Sequence, residues 1–291
     1  MSKRKFVIVT DSACDMPKEY LQQNEIEVVN LGFTMGNVNY EGEFGEKIGL
    51  KDFYAKLRDG ALPTTYQVTA ETAKLHIEPY LKAGKDVFVL AFSGALSGTA
   101  GSFLVAQREL QERYPDRKIA TVDSLCASMG EGLLLDYVIR FADGGAELEE
   151  TAKYAEDLKL HICHEFTVDN LFHLKRGGRV SGVTAVIGTI LKIKPLMHVS
   201  DEGKLVPVGK AMGRKKSLNE LVEKVVENHA MTDEDPLFIS HGDCIEDVEY
   251  VKKLLLEKFP GKNIVVHYVG AVIGAHSGCG TLAIFYKGKK R

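Results

Sequence analysis

Hydroxyl-bearing side chains are concentrated where an apolar run gives way to a helix-length segment. The stretch VFVLAFSGALSGTAGSF places Ser93, Ser97 and Thr99 between the two. Backbone N–H groups at the start of a helix lack partners within the helix and attract negative charge. The Gly-Lys-Ser/Thr of a P-loop and the G-x-S-x-G of a nucleophile elbow are both absent from this stretch. The spacing predicts an anion-binding loop, and helix capping by Ser97 or Thr99 is the alternative.

Two further turns carry groups that could bind an anion. Residues 62–69, LPTTYQVT, bring Thr65, Tyr66 and other polar side chains together behind a proline, although a capped turn has the same composition. The segment HLKRGGRVSG sets Arg176 and Arg179 beside a glycine pair. A guanidinium at such a turn can bind a carboxylate or phosphate through two hydrogen bonds. A basic turn that simply faces solvent is the alternative.

His276 lies in the glycine-rich segment GAVIGAHSGCGTLAIFY, which predicts a loop before the last strand. An imidazole in such a loop suits hydrogen bonding to a ligand. The letters GCGTLA resemble half of a dinucleotide fingerprint, but they precede a strand rather than a helix, so no such cofactor is expected. The cluster His161, Cys163, His164 and Glu165 matches no metal-site spacing, and no metal is expected there.

Acidic residues follow two of the predicted strands. Asp11 and Asp15 come after the first strand, and Asp123 comes after the fourth. Loops at these positions face ligands in α/β sheets, so a metal or acid–base role is conceivable. We expect these carboxylates instead to cap the helices that begin near Pro17 and Ala127.

Short β-branched runs alternate with amphipathic segments in the first half of the chain. The predicted strands are residues 5–10, 27–31, 86–92 and 118–122. The predicted helices are residues 50–59, 71–81, 99–114 and 129–142, and each is followed closely by glycine or proline. This alternation is typical of an α/β domain built on a largely parallel sheet.

The pattern changes after about residue 160. Residues 195–199 and 204–208 flank Asp-Glu-Gly, which predicts an antiparallel hairpin. Helices at 217–230 and 246–259 then alternate with strands at 236–240 and 263–269. We therefore predict two α/β domains, an N-terminal parallel-sheet domain over 1–160 and a mixed C-terminal domain over 161–291. The last strand, residues 281–286, could pack with either domain.

Composition excludes several classes of protein. The chain has 291 residues, 45% of them hydrophobic, and no apolar run of the roughly 18 residues that a membrane span needs. A net charge of −3 argues against nucleic acid as a partner. The five cysteines are an odd number with no CxxC pair, which favours a reducing cytoplasm over a disulfide framework.

Together these segments resemble the DegV family, bacterial two-domain lipid-binding proteins with the EDD fold that include the FakB-type fatty-acid carriers. The resemblance runs almost end to end, with eight motifs in the family's order and at about its spacing. The motifs are DSACD at Asp11, PTTYQVT at Pro63, SGALSGT at Ser93, DSLCASMGEGLL at Asp123, LKRGGRVSG at Leu174, IGTILKIKPLMHV at Ile187, GRKKSL at Gly213 and IGAHSGCG at Ile273.

The resemblance implies a carrier rather than an enzyme, with a long-chain fatty acid held between the two domains. A partner fatty-acid kinase would phosphorylate the bound acid, and the acyl phosphate would enter phospholipid synthesis. By motif position, Thr65, Ser93 and His276 would bind the carboxylate, with Arg179 nearby. Arg214, in the stretch that resembles the family's basic patch, would face the kinase or, transiently, a membrane surface.

The chemistry of these side chains agrees with that assignment. A buried carboxylate needs several hydrogen bonds, which two hydroxyls, an imidazole and helix N-terminal amides can supply. The acyl chain needs apolar lining, for which residues 183–191, 196–199 and 265–269 are candidates, although core packing explains them equally well. The fatty acid is the only ligand expected, with no cofactor.

Four positions depart from the family's pattern. Tyr66 replaces its usual serine after the motif threonine, Gly94 replaces a second serine beside Ser93, and Ala100 and Cys279 replace a tyrosine and a proline. Tyr66, Gly94 and Ser97 would adjoin the head group, so its geometry could differ here. The alternative function is a hydrolase or transferase for a lipid or small acyl substrate, with Ser93 or Ser97 as nucleophile and His276 as base.

Overall fold

The structure is a computed structural model, and it describes residues 4–41, 48–180 and 192–291. The strands in these ranges are β1 (Phe6–Asp11), β2 (Glu27–Val29), β3 (Gly32–Met35), β4 (Val38–Glu41), β5 (Thr64–Tyr66), β6 (Asp86–Ala91), β7 (Ile119–Asp123), β8 (Ile162–Thr167), β9 (Ile193–Val199), β10 (Leu205–Met212), β11 (Leu237–His241), β12 (Ile264–Tyr268) and β13 (Leu282–Lys287). The helices are α1 (Lys18–Gln23), α2 (Leu50–Arg58), α3 (Ala70–Lys82), α4 (Thr99–Arg113), α5 (Met129–Asp143), α6 (Leu148–Leu158), α7 (Phe172–Arg176), α8 (Arg214–Asn228), α9 (Ile245–Lys258) and α10 (Ala271–Ser277).

The first sheet is parallel, in the order β2–β1–β6–β7. Strands β1 and β6 are almost entirely buried, as expected where helices cover both faces of a sheet. The predicted parallel sheet is thereby confirmed. Because the strands run the same way, the loops that follow β1, β6 and β7 meet at one edge of the sheet.

The second sheet is mixed, in the order β10–β9–β8–β13–β11–β12. Only the β11–β12 pairing in it is parallel among the described residues, and the predicted hairpin is present as β9 and β10. The last strand, β13, pairs with β8 and β11 of this sheet. The strands of the first sheet thus precede residue 160 and those of the second sheet follow it. That residue 160 separates two domains stays a prediction.

A third, small sheet in the order β4–β3–β5 was not anticipated from the sequence. Its strands have only three or four residues, too few for an alternating pattern to stand out. The ring of Tyr66 lies on Gly32, where an added Cβ would come within 2.2 Å of the ring. The glycine therefore permits the close packing of β5 on β3.

The prediction that His276 lies in a loop was wrong, because this segment forms helix α10. Glycine content pointed to a loop, but Gly274 has a packing reason to be in the helix. A Cβ at Gly274 would lie 2.6 Å from the hydroxyl of Tyr54. The glycine lets α10 approach α2 closely, and His276 comes to lie in the last turn of the helix.

The acidic residues do not cap the two predicted helices, although Asp11 caps the short 3-10 helix Ser12–Cys14. Helix α1 starts after Pro17 and α5 after Ser128, and neither start has a side-chain cap. Asp11 accepts hydrogen bonds from the N–H groups of Ala13 and Phe92, at 3.0 and 2.8 Å. Its carboxylate therefore ties two loops together at the edge of the parallel sheet.

Helix α5 packs against strands of both main sheets. Its residues Leu133, Leu134, Leu135 and Val138 are all fully buried, and the helix becomes exposed in its last turn, at Arg140 and Phe141. In the ranges that the structure covers, no helix is long and apolar enough to cross a membrane.

Candidate functional site

A predominantly apolar cavity of about 320 Å³ lies where the loops of the parallel sheet, helix α10 and one face of the six-stranded sheet meet. Its volume is within the range of small-molecule sites, about 300–1,000 Å³. The side chains that line it are Leu31, Thr65, Tyr66, Gln67, Phe92, Leu96, Ser97, Ala127, Ser128, His164, Phe166, Leu174, Arg179, Val199, Leu205, Ser240, Val269, Val272, Ile273, His276, Ser277, Thr281, Ala283 and Phe285. The cavity can therefore enclose an elongated apolar ligand with a polar end.

Thr65 and His276 form a hydrogen-bonded pair on the cavity wall. The Thr65 hydroxyl lies 2.9 Å from Nε2 of His276, although 211 residues separate them in the chain. The other ring nitrogen, Nδ1, is buried and has no hydrogen-bond partner among the described residues. It lies against Gly177, where an added Cβ would come within 2.0 Å of it. The ring is thus held between a hydroxyl and a glycine.

Two guanidinium groups adjoin this pair. Arg179 donates from Nε to the carbonyl of Leu96 at 3.1 Å, and Arg176 donates from Nη2 to the carbonyl of Ala275 at 3.1 Å. Neither arginine has a carboxylate within ion-pair distance among residues 4–41, 48–180 and 192–291. The Thr65–His276 end of the cavity therefore carries positive charge that no carboxylate of the described residues balances.

Burial lowers the pKa of His276 to about 4, and the charges of Arg179 and Arg176 act in the same direction. The imidazole is therefore neutral at pH 7 and can donate through one nitrogen only. An anion beside the ring would raise the pKa of His276, because it compensates the arginine charges and favours the protonated ring.

Ser93 does not line the cavity, in contrast to Thr65, Arg179 and His276. Its hydroxyl is buried and donates to the carbonyl of Gly203 at 2.8 Å, in the turn between β9 and β10. Gly203 has a φ of +76°, and a Cβ on it would lie 2.3 Å from the Ser93 hydroxyl. Three of the four expected carboxylate ligands therefore line the same cavity, and the fourth, Ser93, is instead hydrogen-bonded to the hairpin turn.

The expected neighbours of the head group occupy different positions. Ser97 and Tyr66 line the cavity. The Ser97 hydroxyl accepts from the N–H of Thr99 at 3.3 Å, at the start of α4, and the Tyr66 hydroxyl donates to a backbone carbonyl at 3.1 Å. Gly94 is exposed, and its N–H donates to both carboxylate oxygens of Asp123 at 3.1 Å. A Cβ at Gly94 would lie 2.5 Å from that carboxylate, which explains the absence of a serine.

Arg214 lies away from the cavity, at the start of α8. It forms an ion pair with Asp247 at 2.8 Å and approaches Asp169 at 3.7 Å. Its charge is therefore partly engaged within the protein. The expectation that it contacts a partner stays a prediction.

The apolar lining was only partly anticipated. Val199 and Val269 line the cavity, whereas Leu196 packs on the opposite face of the sheet. Residues 183–191 lie outside the described ranges. Phe166, Phe285 and Leu174 were missed, although Phe285 and Phe166 follow the alternation of strands with one face toward the cavity.

His164, discounted in the sequence as a metal ligand, also lines the cavity. Its Nε2 accepts from the N–H of Ala127 at 3.2 Å, so the proton is on Nδ1, which donates to the carbonyl of Ile162 at 3.0 Å. Burial holds its pKa well below the ordinary value, and the nearby charge of Arg291 adds to this. Both nitrogens are satisfied, so His164 offers the cavity only the face of a neutral ring.

Comparison with known proteins places these features in one family. A family model described as an uncharacterised protein of the DegV family matches residues 5–289. A DegV domain-containing protein of Clostridium perfringens is 43% identical over 285 residues, which are 98% of each chain.

Solved structures share the whole fold. A DegV lipid-binding protein of Thermotoga maritima superposes with a TM-score of 0.85 at 27% identity, over 99% of each chain. A DegV family protein of Thermus thermophilus, described for its fatty acid binding, has a TM-score of 0.85 at 29% identity, over 97% of this chain and 99% of the other. The two-sheet α/β architecture is therefore that of known lipid-binding proteins.

Proposed function

Because this chain belongs to the DegV family, we propose that it is a carrier of long-chain fatty acids. The carboxylate lies at the Thr65–His276 end of the cavity and the acyl chain runs along the inner face of the six-stranded sheet. The observation that carries this proposal is the Thr65–His276 pair, 2.9 Å apart, beside arginine charge that no described carboxylate balances.

A carboxylate at this end would meet compatible groups. With His276 donating from Nε2 to the Thr65 oxygen, the Thr65 hydroxyl can donate to the carboxylate, and Arg179 supplies a charge that offsets the cost of removing the anion from water. Hydrogen bonds to a charged group contribute about 1.5–3 kcal/mol each. Ser93 could join them only by releasing the carbonyl of Gly203.

The acyl chain would be stabilised by burial. Phe166, Leu174, Val199, Leu205 and Phe285 offer it apolar contact along the cavity. Each CH₂ removed from water contributes about 0.8 kcal/mol, so a sixteen-carbon chain gains roughly 10 kcal/mol before losses of entropy. That gain is enough to hold a ligand without covalent chemistry.

The arrangement supports a carrier over a hydrolase. A serine nucleophile needs a base within hydrogen-bond reach, and that base needs an orienting group. Among the described residues, Ser93 donates to Gly203 and Ser97 is hydrogen-bonded to Thr99, so neither serine contacts His276, and Nδ1 of His276 has no partner. The serine-dependent alternative therefore lacks both of its contacts.

The head-group end lies near the surface, where Arg179 and Tyr66 are exposed. A kinase subunit could reach the carboxylate there, without release of the acyl chain. One carboxylate oxygen would attack the γ-phosphorus of ATP held by the kinase, ADP would leave, and the carrier would retain the acyl phosphate. We place this activity in the cytoplasm, in phospholipid metabolism, with membrane contact limited to transient docking through Arg214.

Displacement of a fluorescent fatty acid by palmitate tests the proposal. Thr65→Val should weaken palmitate binding by about tenfold or more, because a charged hydrogen bond is lost. Thr72→Val, which changes a threonine outside the cavity, is the matched control and should bind as the unchanged protein does. Equal affinity of all three proteins would remove Thr65 from the site.

Two activity assays complete the test. With ATP and a purified fatty-acid kinase, the loaded protein should yield an acyl phosphate that hydroxylamine traps. With an acyl ester and no kinase, it should show no turnover. Ester turnover that disappears in Ser93→Ala would instead establish the hydrolase.

A further inference from the structure

A second polar position lies inside the cavity, on the face of the six-stranded sheet. Ser240 of β11 is directly opposite Ala283 of β13 in the antiparallel register, and both line the cavity. Thr281 also lines it, two residues before Ala283 and therefore on the same face. Ala283, the small residue between them, has some surface in the cavity, in a wall that is otherwise mainly apolar.

The proton of each hydroxyl is already used. Ser128 donates to the carboxylate of Asp15, so it can only accept from Ser240, whose hydroxyl lies 3.0 Å away. Thr281 donates to the carbonyl of Gly278 at 2.8 Å. Ser240 is fully buried behind the cavity wall and Thr281 is almost so, and each hydroxyl can offer a group in the cavity only its lone pairs.

His164 and Ser128, which neighbour these hydroxyls, do not supply the missing proton. His164 has both ring nitrogens engaged with backbone groups. Ser128 is held in position by its two hydrogen bonds at a φ of 55° and a ψ of −145°, a conformation that residues other than glycine rarely adopt. The recess formed by Ser240, Thr281 and Ala283 is thus a fixed, acceptor-only site.

A ligand that fits this recess must donate a hydrogen bond from within its apolar part. A plain alkyl chain has no such group, and a ketone has only acceptor lone pairs. We propose that the preferred ligand is a fatty acid that carries a hydroxyl group on its acyl chain, with that hydroxyl donating to Ser240 or Thr281. This inference rests on the proposed function, since it specifies the chain that the carrier holds.

The test compares three sets of C18 acids by displacement titration: stearate, monohydroxystearates with the hydroxyl at successive positions, and the matching oxostearates. At least one hydroxy isomer should bind about fivefold more tightly than stearate, the size of a typical net hydrogen bond. Its oxo counterpart should bind no more tightly than stearate.

Variants assign the effect to the recess. Ser240→Ala combined with Thr281→Val should abolish the preference for the hydroxy acid over stearate, and continued binding of stearate shows that the variant is folded. Ser277→Ala is the matched control. Ser277 lines the same cavity, its hydroxyl has no hydrogen-bond partner in the part of the chain that the structure describes, and its loss should leave the preference intact.

Each remaining outcome is decisive. If stearate binds but no hydroxy isomer binds more tightly, the inference is overturned and the carrier function stands. If the oxo acid binds as tightly as the hydroxy acid, the oxygen contacts the Ser277 hydroxyl instead, and the recess is not the site. If none of the three sets binds, the carrier function itself is wrong.

Discussion

Fatty-acid binding should be coupled to protonation of His276. The unliganded ring has a pKa of about 4, lowered by burial and by the charges of Arg179 and Arg176. A carboxylate bound beside the ring favours its protonated form. Because the pKa is then higher in the complex, affinity rises as the pH falls through the pKa of the complex, and it is constant well above that value.

The size of the effect follows from the shift. An opposite charge within about 4–6 Å raises a pKa by about 1–3 units. Starting from a pKa of about 4, the complex would titrate between about 5 and 7. Linkage then makes binding at pH 5 tighter than at pH 7 by about twofold for a shift of one unit, about ninefold for two and about 45-fold for three.

The assay measures palmitate affinity at pH 5 and pH 7 for the unchanged protein and for His276→Gln. Glutamine keeps a side-chain amide that can reach Thr65, but it does not titrate in this range. The ionisation of palmitic acid itself affects both proteins equally and cancels in the ratio of their affinities. Calorimetry in two buffers of different ionisation enthalpy adds a direct count of the protons taken up.

Proton uptake in the unchanged protein and none in His276→Gln would support the reasoning. An affinity ratio between the two proteins that is the same at pH 5 and pH 7 would refute it. The carboxylate would then lie too far from His276 to sense its charge.

Three substitutions test contacts that hold the site and the fold in position. Gly177→Ala places a Cβ 2.0 Å from Nδ1 of His276. Palmitate binding should therefore weaken by about tenfold, because the ring has to move. The control is Gly101→Ala, whose Cβ meets nothing within 4 Å and should leave palmitate binding unchanged. Ser93→Ala leaves a buried carbonyl without its donor, and the free energy of unfolding in urea should fall by about 1–3 kcal/mol; an unchanged value would mean that water replaces the hydroxyl. Arg291→Ala removes the guanidinium that donates to the backbone carbonyls of Leu125, Lys159, Ile162 and Ser200. The free energy of unfolding in urea should fall by roughly 1–3 kcal/mol. Identical urea midpoints for the two proteins would contradict this structural role.

The parallel sheet was predictable because its strands carry their own signal. The runs that became β1 and β6 are buried on both faces, so their β-branched and aromatic residues are continuous in the sequence. The hairpin of β9 and β10 was predictable from its turn residues. In contrast, the small sheet of β3, β4 and β5 has strands too short for a pattern.

The features that were predicted wrongly, helix α10 and the position of Ser93, depend on packing between segments that are distant in the chain. The glycines of α10 suggested a loop, because the contact of Gly274 with Tyr54 cannot be seen in the sequence. Ser93 reaches a carbonyl 110 residues away, and no local pattern predicts that partner.

The candidate site was likewise predicted only in part. Thr65, Arg179 and His276 were identified from motifs and do line the cavity. Ser240 and Thr281 were missed, because single hydroxyls in apolar strands become noticeable only when the register places them beside Ala283.

The central claim is that this protein holds a fatty acid, and intact mass tests it most directly. The protein would be purified without added lipid and weighed under native and then denaturing conditions. We expect an excess of a few hundred daltons that is lost on denaturation and is identified after extraction as a fatty acid. A native mass equal to the denatured mass, with no uptake of added stearate or hydroxystearate, would contradict the claim.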